Sequence, residues 1–184
     1  LRIIILVAGM SGILAGIKLL EKGFTNISIY EKANNIGGTW RDNTYPGLVC
    51  DVPSHHYTYS FERNPNWSKH YSTGNEIQDY FIKIAKEYNL ISRIKFNEEA
   101  IKANFNNKKW FLEFNTGTTD EADILIAATG VLHHPKYPNI EGINSFQGKI
   151  FHSSKWDHSL DLESIKIGII GNGSTGVQIV SALS

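Results

Sequence analysis

The stretch Ile-Ile-Ile-Leu-Val-Ala-Gly-Met-Ser-Gly, residues 3–12, decides the fold. Its first five residues are branched and apolar, as in a central parallel strand that is covered on both faces. Residues 11–22 continue with apolar side chains at helical spacing, and residues 27–30 form a second apolar run. Residues 1–31 therefore predict a β-α-β unit of the usual length, with Gly23 placed to end its helix.

The turn between the first strand and the helix has the spacing of the dinucleotide fingerprint GxGxxG, with one departure. Gly9 and Gly12 match the second and third glycines, but Val7 stands in place of the first. Because a β-branched residue is restricted in its backbone, we expect the phosphate loop to be displaced and binding to be weakened. Glu31, about 20 residues further on, is a typical partner of an adenosine ribose hydroxyl. We therefore interpret Gly9, Ser11, Gly12 and Glu31 as a nucleotide site; the plainer interpretation is a packing turn.

A second glycine-rich turn lies near the end of the chain. Residues 165–170 predict a strand, and Gly171-Asn172-Gly173-Ser174-Thr175-Gly176 is an intact GxGxxG that opens a second helix. Two such turns in one chain predict two dinucleotides held face to face.

Two further motifs carry a resemblance. Residues 37–51 read GGxWxxxxYPGxxxD, and residues 146–157 read FxGxxxHxxxWD. The second motif follows neither helical nor strand periodicity, so it predicts a linker whose side chains have fixed roles. Together the motifs resemble the type I Baeyer–Villiger monooxygenases, flavoenzymes that insert one oxygen atom of O2 next to a ketone carbonyl.

The resemblance implies FAD at the first turn, NADPH at the second, and a small ketone and O2 as substrates. NADPH would reduce the flavin, and a flavin C4a-peroxide would convert the ketone to an ester or lactone. Gly38, Thr39, Trp40 and Tyr57 would contact FAD, and Asp51 would be a catalytic carboxylate that also lies near the cofactors. Gly171, Gly173, Ser174, Thr175 and Gly176 would hold NADP. The fingerprint residues would be Phe146, Gly148, His152, Trp156 and Asp157, and His152 would transmit cofactor binding between the domains.

Two alternatives stay open. Flavin-containing monooxygenases that oxidise nitrogen or sulfur carry a shorter motif without the Trp156-Asp157 ending. A flavin-binding remnant without activity is the other, because Val7 replaces a glycine and the chain begins without Met and stops within a predicted helix. We expect an N-terminal fragment that retains FAD weakly and does not turn over.

The predicted fold class is α/β. Residues 1–134 would form a Rossmann-like FAD-binding domain with a small β-meander near 94–120, built on a hairpin around Asn106-Asn107. Residues 135–164 would be the linker, and residues 165–184 would begin a second, NADP-binding Rossmann domain. We further expect a strand at 123–128, an irregular loop at Gly37–Asp51, and a reciprocal capping box between Thr73 and Glu76.

Composition narrows the remaining possibilities. With 18 basic and 18 acidic residues the chain shows no nucleic-acid footprint. Its single cysteine, Cys50, excludes an internal disulfide and is typical of a reducing, cytoplasmic protein. The apolar opening is too short to span a membrane. The paired histidines, His55-His56 and His133-His134, lack metal-ligand spacing, so we expect no metal site.

Overall fold

The computed structural model describes residues 1–163 and 165–184. Its regular elements alternate between strands and helices at the start and then form a run of strands. In chain order they are β1 (Ile3–Leu6), α1 (Met10–Glu21), β2 (Ile27–Glu31), α2 (Thr39–Asp42), α3 (Gly74–Glu87), β3 (Ile94–Phe96), β4 (Ala100–Asn106), β5 (Lys109–Phe114), β6 (Thr119–Ala122), β7 (Ile124–Ala127) and α4 (Ser174–Leu183).

A parallel sheet with the order β3-β2-β1-β7 forms the centre of the fold. Within β1, Ile3 and Ile5 pack on the helical side and Ile4 packs on the opposite side, each at most 1% exposed. Burial of each such side chain stabilises the fold by about 1.5–3 kcal/mol. The predicted α/β class, the β-α-β unit and the strand near 123–128 are confirmed.

Helices α1 and α3 cover one face of this sheet. Gly16 lets α1 approach closely, since a Cβ there would lie 3.0 Å from Leu90 Cδ2 and 3.1 Å from Ile29 Cδ1. Gly23, at φ +83°, ends α1 in the left-handed conformation that the sequence predicts. The apolar residues of both helices therefore join the main core.

The other face is covered by an antiparallel sheet, β4-β5-β6. Leu112 and Phe114 are buried against the parallel sheet, and the Phe114 ring stacks on Tyr30 at 4.1 Å between centroids. The hairpin turn is centred on Asn107 and Lys108, both at positive φ, one residue later than predicted. The β-meander is confirmed, but its predicted start at 94 is wrong, because β3 belongs to the parallel sheet.

Asp120 joins the two sheets electrostatically. Its carboxylate accepts a hydrogen bond from Tyr30 Oη at 2.6 Å and pairs with the Arg2 guanidinium. Lys95 Nζ donates to Tyr30 Oη at 2.7 Å. Burial, and then the bond to Asp120, raise the pKa of Tyr30, so the phenol stays protonated and donates.

The start of α3 differs from the predicted capping box. Thr73 Oγ1 accepts a hydrogen bond from Glu76 N at 3.4 Å, as an N-cap residue does. The Glu76 carboxylate turns instead to Ser68, accepting from its N and Oγ at 2.8 Å each. The reciprocal half of the prediction is therefore wrong, because Ser68 supplies two donors that hold the preceding loop on α3.

The strand predicted at residues 165–170 is not formed. Ile165 and Ile170 are 51% and 69% exposed, and this stretch pairs with none of the described strands. A strand needs a neighbour to satisfy its N–H and C=O groups, which apolar composition alone does not provide. Helix α4 forms as predicted. Ser164, the last residue of the predicted linker, lies outside the described residues.

We expect Asp120→Asn to lower the free energy of unfolding by about 1–3 kcal/mol, because two donors lose a charged acceptor. Burial raises the pKa of Asp120, but hydrogen bonds from Tyr30 and Arg2 outweigh it, and the net pKa lies below its ordinary value. The loss of unfolding free energy should therefore be complete at neutral pH. It should shrink as the pH falls below about 4, the pKa of an aspartate in the unfolded chain. Urea unfolding at pH 7 and pH 3.5 measures it.

The exposed carboxylate Asp79 serves as the control, and Asp79→Asn should change stability by less than about 0.5 kcal/mol. Equal losses for Asp120→Asn at the two pH values would show that the carboxylate does not act through its charge.

Candidate functional site

The first glycine-rich turn has the geometry of a dinucleotide-binding turn. A Cβ at Gly12 would lie 1.9 Å from Val7 O, so only glycine fits there. Gly9 O accepts Ile13 N at 3.0 Å and so begins α1. The N-terminus of α1 carries free N–H groups and a partial positive charge, which favour a phosphate.

Val7 adopts the conformation of the glycine that it replaces, with φ +79°. The expected displacement of the loop is therefore wrong. Val7 N donates to Tyr30 O at 2.7 Å, and Gly12 packs against Val7 O. The peptide groups on both sides of the Val7 Cα are therefore fixed. A β-branched residue in this region is strained, at a cost of about 1–3 kcal/mol.

Glu31 lies at the end of β2 with its side chain fully buried. Its Oε2 accepts Ala8 N at 2.9 Å, and its Oε1 accepts Ala33 N at 3.0 Å. The Arg41 guanidinium is 3.0 Å from Oε1. The carboxylate therefore fixes the backbone of the first turn against β2, and Arg41 neutralises its charge.

The Gly37-Gly38 turn packs directly on the first turn. Gly38, at φ +54°, comes so close that a Cβ there would lie 3.2 Å from Gly9 Cα, and Gly37 N donates to Ala8 O at 3.1 Å. Thr39 then begins α2, a single helical turn, where the sequence predicted an irregular loop; three backbone hydrogen bonds to Gly37 and Gly38 close it.

Trp40 and Tyr57 are in contact. Trp40 Nε1 donates to Tyr57 Oη at 3.0 Å, and the two rings meet edge to face at 5.4 Å. Burial is the main cause that raises the pKa of Tyr57, so it stays a neutral hydroxyl. Trp40 is buried, and its ring lies 3.6 Å from the position of a Cβ on Gly74.

A cleft opens where the first turn, the end of β2 and the Gly-Gly turn meet. Its lining includes Val7, Lys32, Gly38, Thr39 and Arg41, together with Thr129, Gly130 and His133. Two cations, Lys32 and Arg41, and three carboxylates, Asp42, Glu98 and Glu99, thus line the cleft. Burial, and then the charge of Lys32, lower the pKa of His133, which is therefore neutral at pH 7.

Asp51 connects the first half of the chain with α4. Ser174 Oγ donates to Asp51 Oδ2 at 2.8 Å. Tyr45 Oη donates to Gln178 Oε1 at 3.1 Å, and Gln178 Nε2 donates to Val49 O at 3.0 Å. Helix α4 therefore sits on the Tyr-Pro-Gly loop, and neither α4 nor Asp51 belongs to the cleft lining.

The second glycine-rich turn repeats the geometry of the first. Gly171 has φ +118°, and a Cβ on Gly176 would lie 2.4 Å from Gly171 O. Gly173 O accepts Val177 N at 3.1 Å, as Gly9 O accepts Ile13 N. Ser174 and Thr175 form the first turn of α4.

The segment 146–157 contains one short 3-10 turn, Ser153–Lys155, and is otherwise irregular. Phe146 is 63% exposed, and a Cβ on Gly148 would lie 2.5 Å from its ring. The remaining fingerprint side chains have local partners. His152 Nδ1 is 2.9 Å from Ser154 Oγ, Trp156 meets Phe151 at 5.3 Å, and Asp157 pairs with Lys149 at 2.9 Å. Hydrogen bonds from Ser159 and Lys149 hold the pKa of Asp157 at about 2.

The sequence profile described as "FMO-like: Flavin-binding monooxygenase-like" matches residues 1–184. The chain belongs to this family of flavin-binding monooxygenases. An uncharacterized monooxygenase of Mycobacterium tuberculosis is 54% identical over 156 residues, covering 85% of this chain and 32% of its own length. A Baeyer-Villiger monooxygenase of Streptomyces coelicolor is 38% identical over 184 residues, covering 99% of this chain and 35% of its own.

Solved structures of flavin monooxygenases share the fold. A cyclohexanone monooxygenase from Rhodococcus sp. Phi1 bound to NADP+ superposes with a TM-score of 0.88 at 30% identity, covering 99% of this chain and 35% of that one. A cyclohexanone monooxygenase bound to ε-caprolactone gives 0.90 at 31% identity, covering 99% and 37%. The chain thus spans about a third of the length of its relatives.

Sequence reasoning missed several cleft residues of this monooxygenase chain. Arg41 falls on a position that the Gly-Gly-x-Trp motif leaves open, and Lys32 follows Glu31 without a motif of its own. Thr129 and Gly130 line the cleft directly after the predicted strand at 123–128, and none of the predicted motifs includes them. A search for cations next to the predicted ribose carboxylate would have found Lys32, and a search next to the Gly-Gly-x-Trp motif would have found Arg41.

Within residues 1–163 and 165–184, no three His, Cys, Asp or Glu side chains come together as a metal site would require. Over the same residues, none of the helices has the length and apolar character to cross a membrane.

We expect Val7→Gly to raise the free energy of unfolding of this monooxygenase chain by about 1 kcal/mol. Release of a strained β-branched residue at φ +79° outweighs the chain entropy that glycine adds, about 0.5–1 kcal/mol. The control Val52→Gly, at a position without positive φ, should be neutral or destabilising. Urea unfolding followed by tryptophan fluorescence measures both; a Val7→Gly variant less stable than the parent would contradict the strain.

Proposed function

We propose that the chain is the first part of an FAD- and NADPH-dependent monooxygenase that converts a ketone to an ester or lactone with O2. The observation that carries the proposal is the cleft at which the first glycine-rich turn, Glu31 and the Gly-Gly-Thr-Trp turn meet. Relatives named Baeyer-Villiger monooxygenase, 37% and 38% identical over nearly the whole chain, support the reaction class.

The residues of the cleft fit a flavin dinucleotide. Gly9 and Gly12 let the pyrophosphate approach the backbone, and Ser11 lies in the first turn of α1. Lys32, which lines the cleft, would supply positive charge to the phosphates. When bound, FAD reduced by NADPH activates O2; the protein binds it, orients it and keeps water away.

Further side chains of the Gly-Gly-Thr-Trp region have roles in this proposal. Gly38 and Thr39 would contact the flavin, since the Gly38 turn packs on Gly9 of the first turn. Trp40 and Tyr57 form a rigid wall behind them, since each ring fixes the other. Truncation of either side chain would loosen the seat of the flavin.

Asp51 positions the second cofactor site in this proposal. It holds Ser174 in the first turn of α4, and that turn would receive the pyrophosphate of NADPH. The other NADP residues would be Gly171, Gly173, Thr175 and Gly176. In this proposal Asp51 is the catalytic carboxylate predicted from the resemblance, and it contacts the second cofactor site through Ser174.

The domain limits are part of the same proposal. Residues 1–134 would bind FAD, residues 135–164 would link the domains, and residues 165–184 would begin the NADP-binding domain. The fingerprint residues Phe146, Gly148, His152, Trp156 and Asp157 would act in the linker, where His152 and Asp157 each have a partner within the segment.

Oxidation of nitrogen or sulfur is the second candidate, because the matched family is described broadly as flavin-binding monooxygenases. The longer motif that ends in Trp156 and Asp157 favours ketones, and two partners in the structure, Phe151 and Lys149, order that ending.

Product analysis with the full-length protein that carries residues 1–184 tests the proposal. Supplied with FAD, NADPH and 18O2, it should convert cyclohexanone to a lactone that holds one 18O atom. Methyl phenyl sulfide should react more slowly. Sulfoxide formation without lactone would select the second candidate, and NADPH consumption with neither product would exclude both oxygenation reactions.

A further inference from the structure

Arg41 contacts three acceptors at the edge of the cleft. Its Nη1 donates to Asn35 O at 2.7 Å and lies 3.0 Å from Glu31 Oε1, and its Nε donates to Asp42 Oδ1 at 2.8 Å. The side chain is 11% exposed and lines the cleft, whereas Glu31 is fully buried behind it. Arg41 is therefore the cleft residue that stands in front of the carboxylate.

The three donors to Glu31 are not equally fixed. Ala8 N belongs to the turn after β1, and Ala33 N follows β2 directly, so neither can leave without unfolding a strand end. The Arg41 guanidinium reaches Glu31 on a flexible stem. Of the three donors, Arg41 is therefore the one that a hydroxyl entering from the cleft can replace.

We propose that Arg41 bonds to Glu31 at the place that the adenosine ribose would take and sets the affinity for the cofactor by competing with its vicinal hydroxyls. This inference rests on the proposed function, because it assumes that the cleft takes an adenine dinucleotide. Before the cofactor binds, Arg41 satisfies a buried carboxylate that would otherwise be strongly unfavourable. On binding, two ribose hydroxyls take over that role.

The consequence is a difference between ligands with and without ribose hydroxyls. A ligand that bonds to Glu31 has to displace Arg41 and loses part of its binding energy. A ligand without these hydroxyls leaves Arg41 in place and should not depend on it. An Arg41 that only bound phosphate, or only stabilised the fold, would affect both ligands alike.

Isothermal titration of residues 1–184 with ADP and with 2′,3′-dideoxy-ADP tests the proposal. Arg41→Met removes the donor and keeps a long apolar stem, and Arg63→Met changes an exposed arginine away from the cleft as a control. For Arg41→Met the Kd for ADP should fall about tenfold, as expected for one bond to a charged group. The Kd for the dideoxy ligand should stay within about twofold, and Arg63→Met should change neither.

If Arg41→Met fails to fold by circular dichroism, Arg41→Lys is used. Lysine keeps the charge but cannot bridge Asn35, Asp42 and Glu31 at once. The Kd for ADP should therefore fall by less than in Arg41→Met, and the Kd for the dideoxy ligand should not change. An unchanged or weaker Kd for ADP, or equal shifts for both ligands, would overturn the competition while leaving the cofactor site intact. If neither the parent nor the variants bound either ligand, both the cofactor site and the competition by Arg41 would be overturned.

Discussion

The buried carboxylate of Glu31 is the constraint on which the site depends. An ionised group removed from water costs several kcal/mol unless donors surround it. Here the donors are Ala8 N, Ala33 N and Arg41, which come from the first turn, the end of β2 and α2. Satisfying one charge therefore fixes three separate parts of the chain and shapes the floor of the cleft.

The close approach of two backbone segments, the first glycine-rich turn and the Gly37-Gly38 turn, also fixes the geometry of the site. A Cβ on Gly12 would collide with Val7 O at 1.9 Å, and one on Gly38 would lie only 3.2 Å from Gly9 Cα, so the backbone leaves little room for a side chain at either position. Val7 is held at a φ that suits glycine because these neighbours leave it no alternative. The surrounding fold supplies the stabilisation that the strained residue lacks, which is usual where strain persists in proteins.

The sequence predicts well whatever depends on local chemistry. Strand β1, the glycine turns and the cap at Gly23 follow from apolar periodicity and from residues that must be glycine. The conformation of Val7 and the missing strand at 165–170 could not be predicted, since each is decided by neighbours distant in sequence. Tertiary partners decide two further features in the same way. Asp120 joins the two sheets through Tyr30, and the Glu76 carboxylate accepts hydrogen bonds from Ser68.

Within the candidate site, motifs identified residues but not their connections. Trp40 and Tyr57 were both expected near the flavin, and the structure adds the hydrogen bond that joins them. Asp51 was expected to act near the cofactors, and its bond to Ser174 links it to α4. Arg41 escaped notice because its position carries no motif, although it lies against the most buried charge of the site.

The most direct measurement of the central claim is a crystal structure of the full-length protein with FAD. The account predicts the adenosine ribose within hydrogen-bond distance of Glu31, the pyrophosphate at Gly9 and Gly12, and the flavin ring beside Gly38 and Thr39. Electron density for FAD at any other surface, with Glu31 still covered by Arg41, would contradict it.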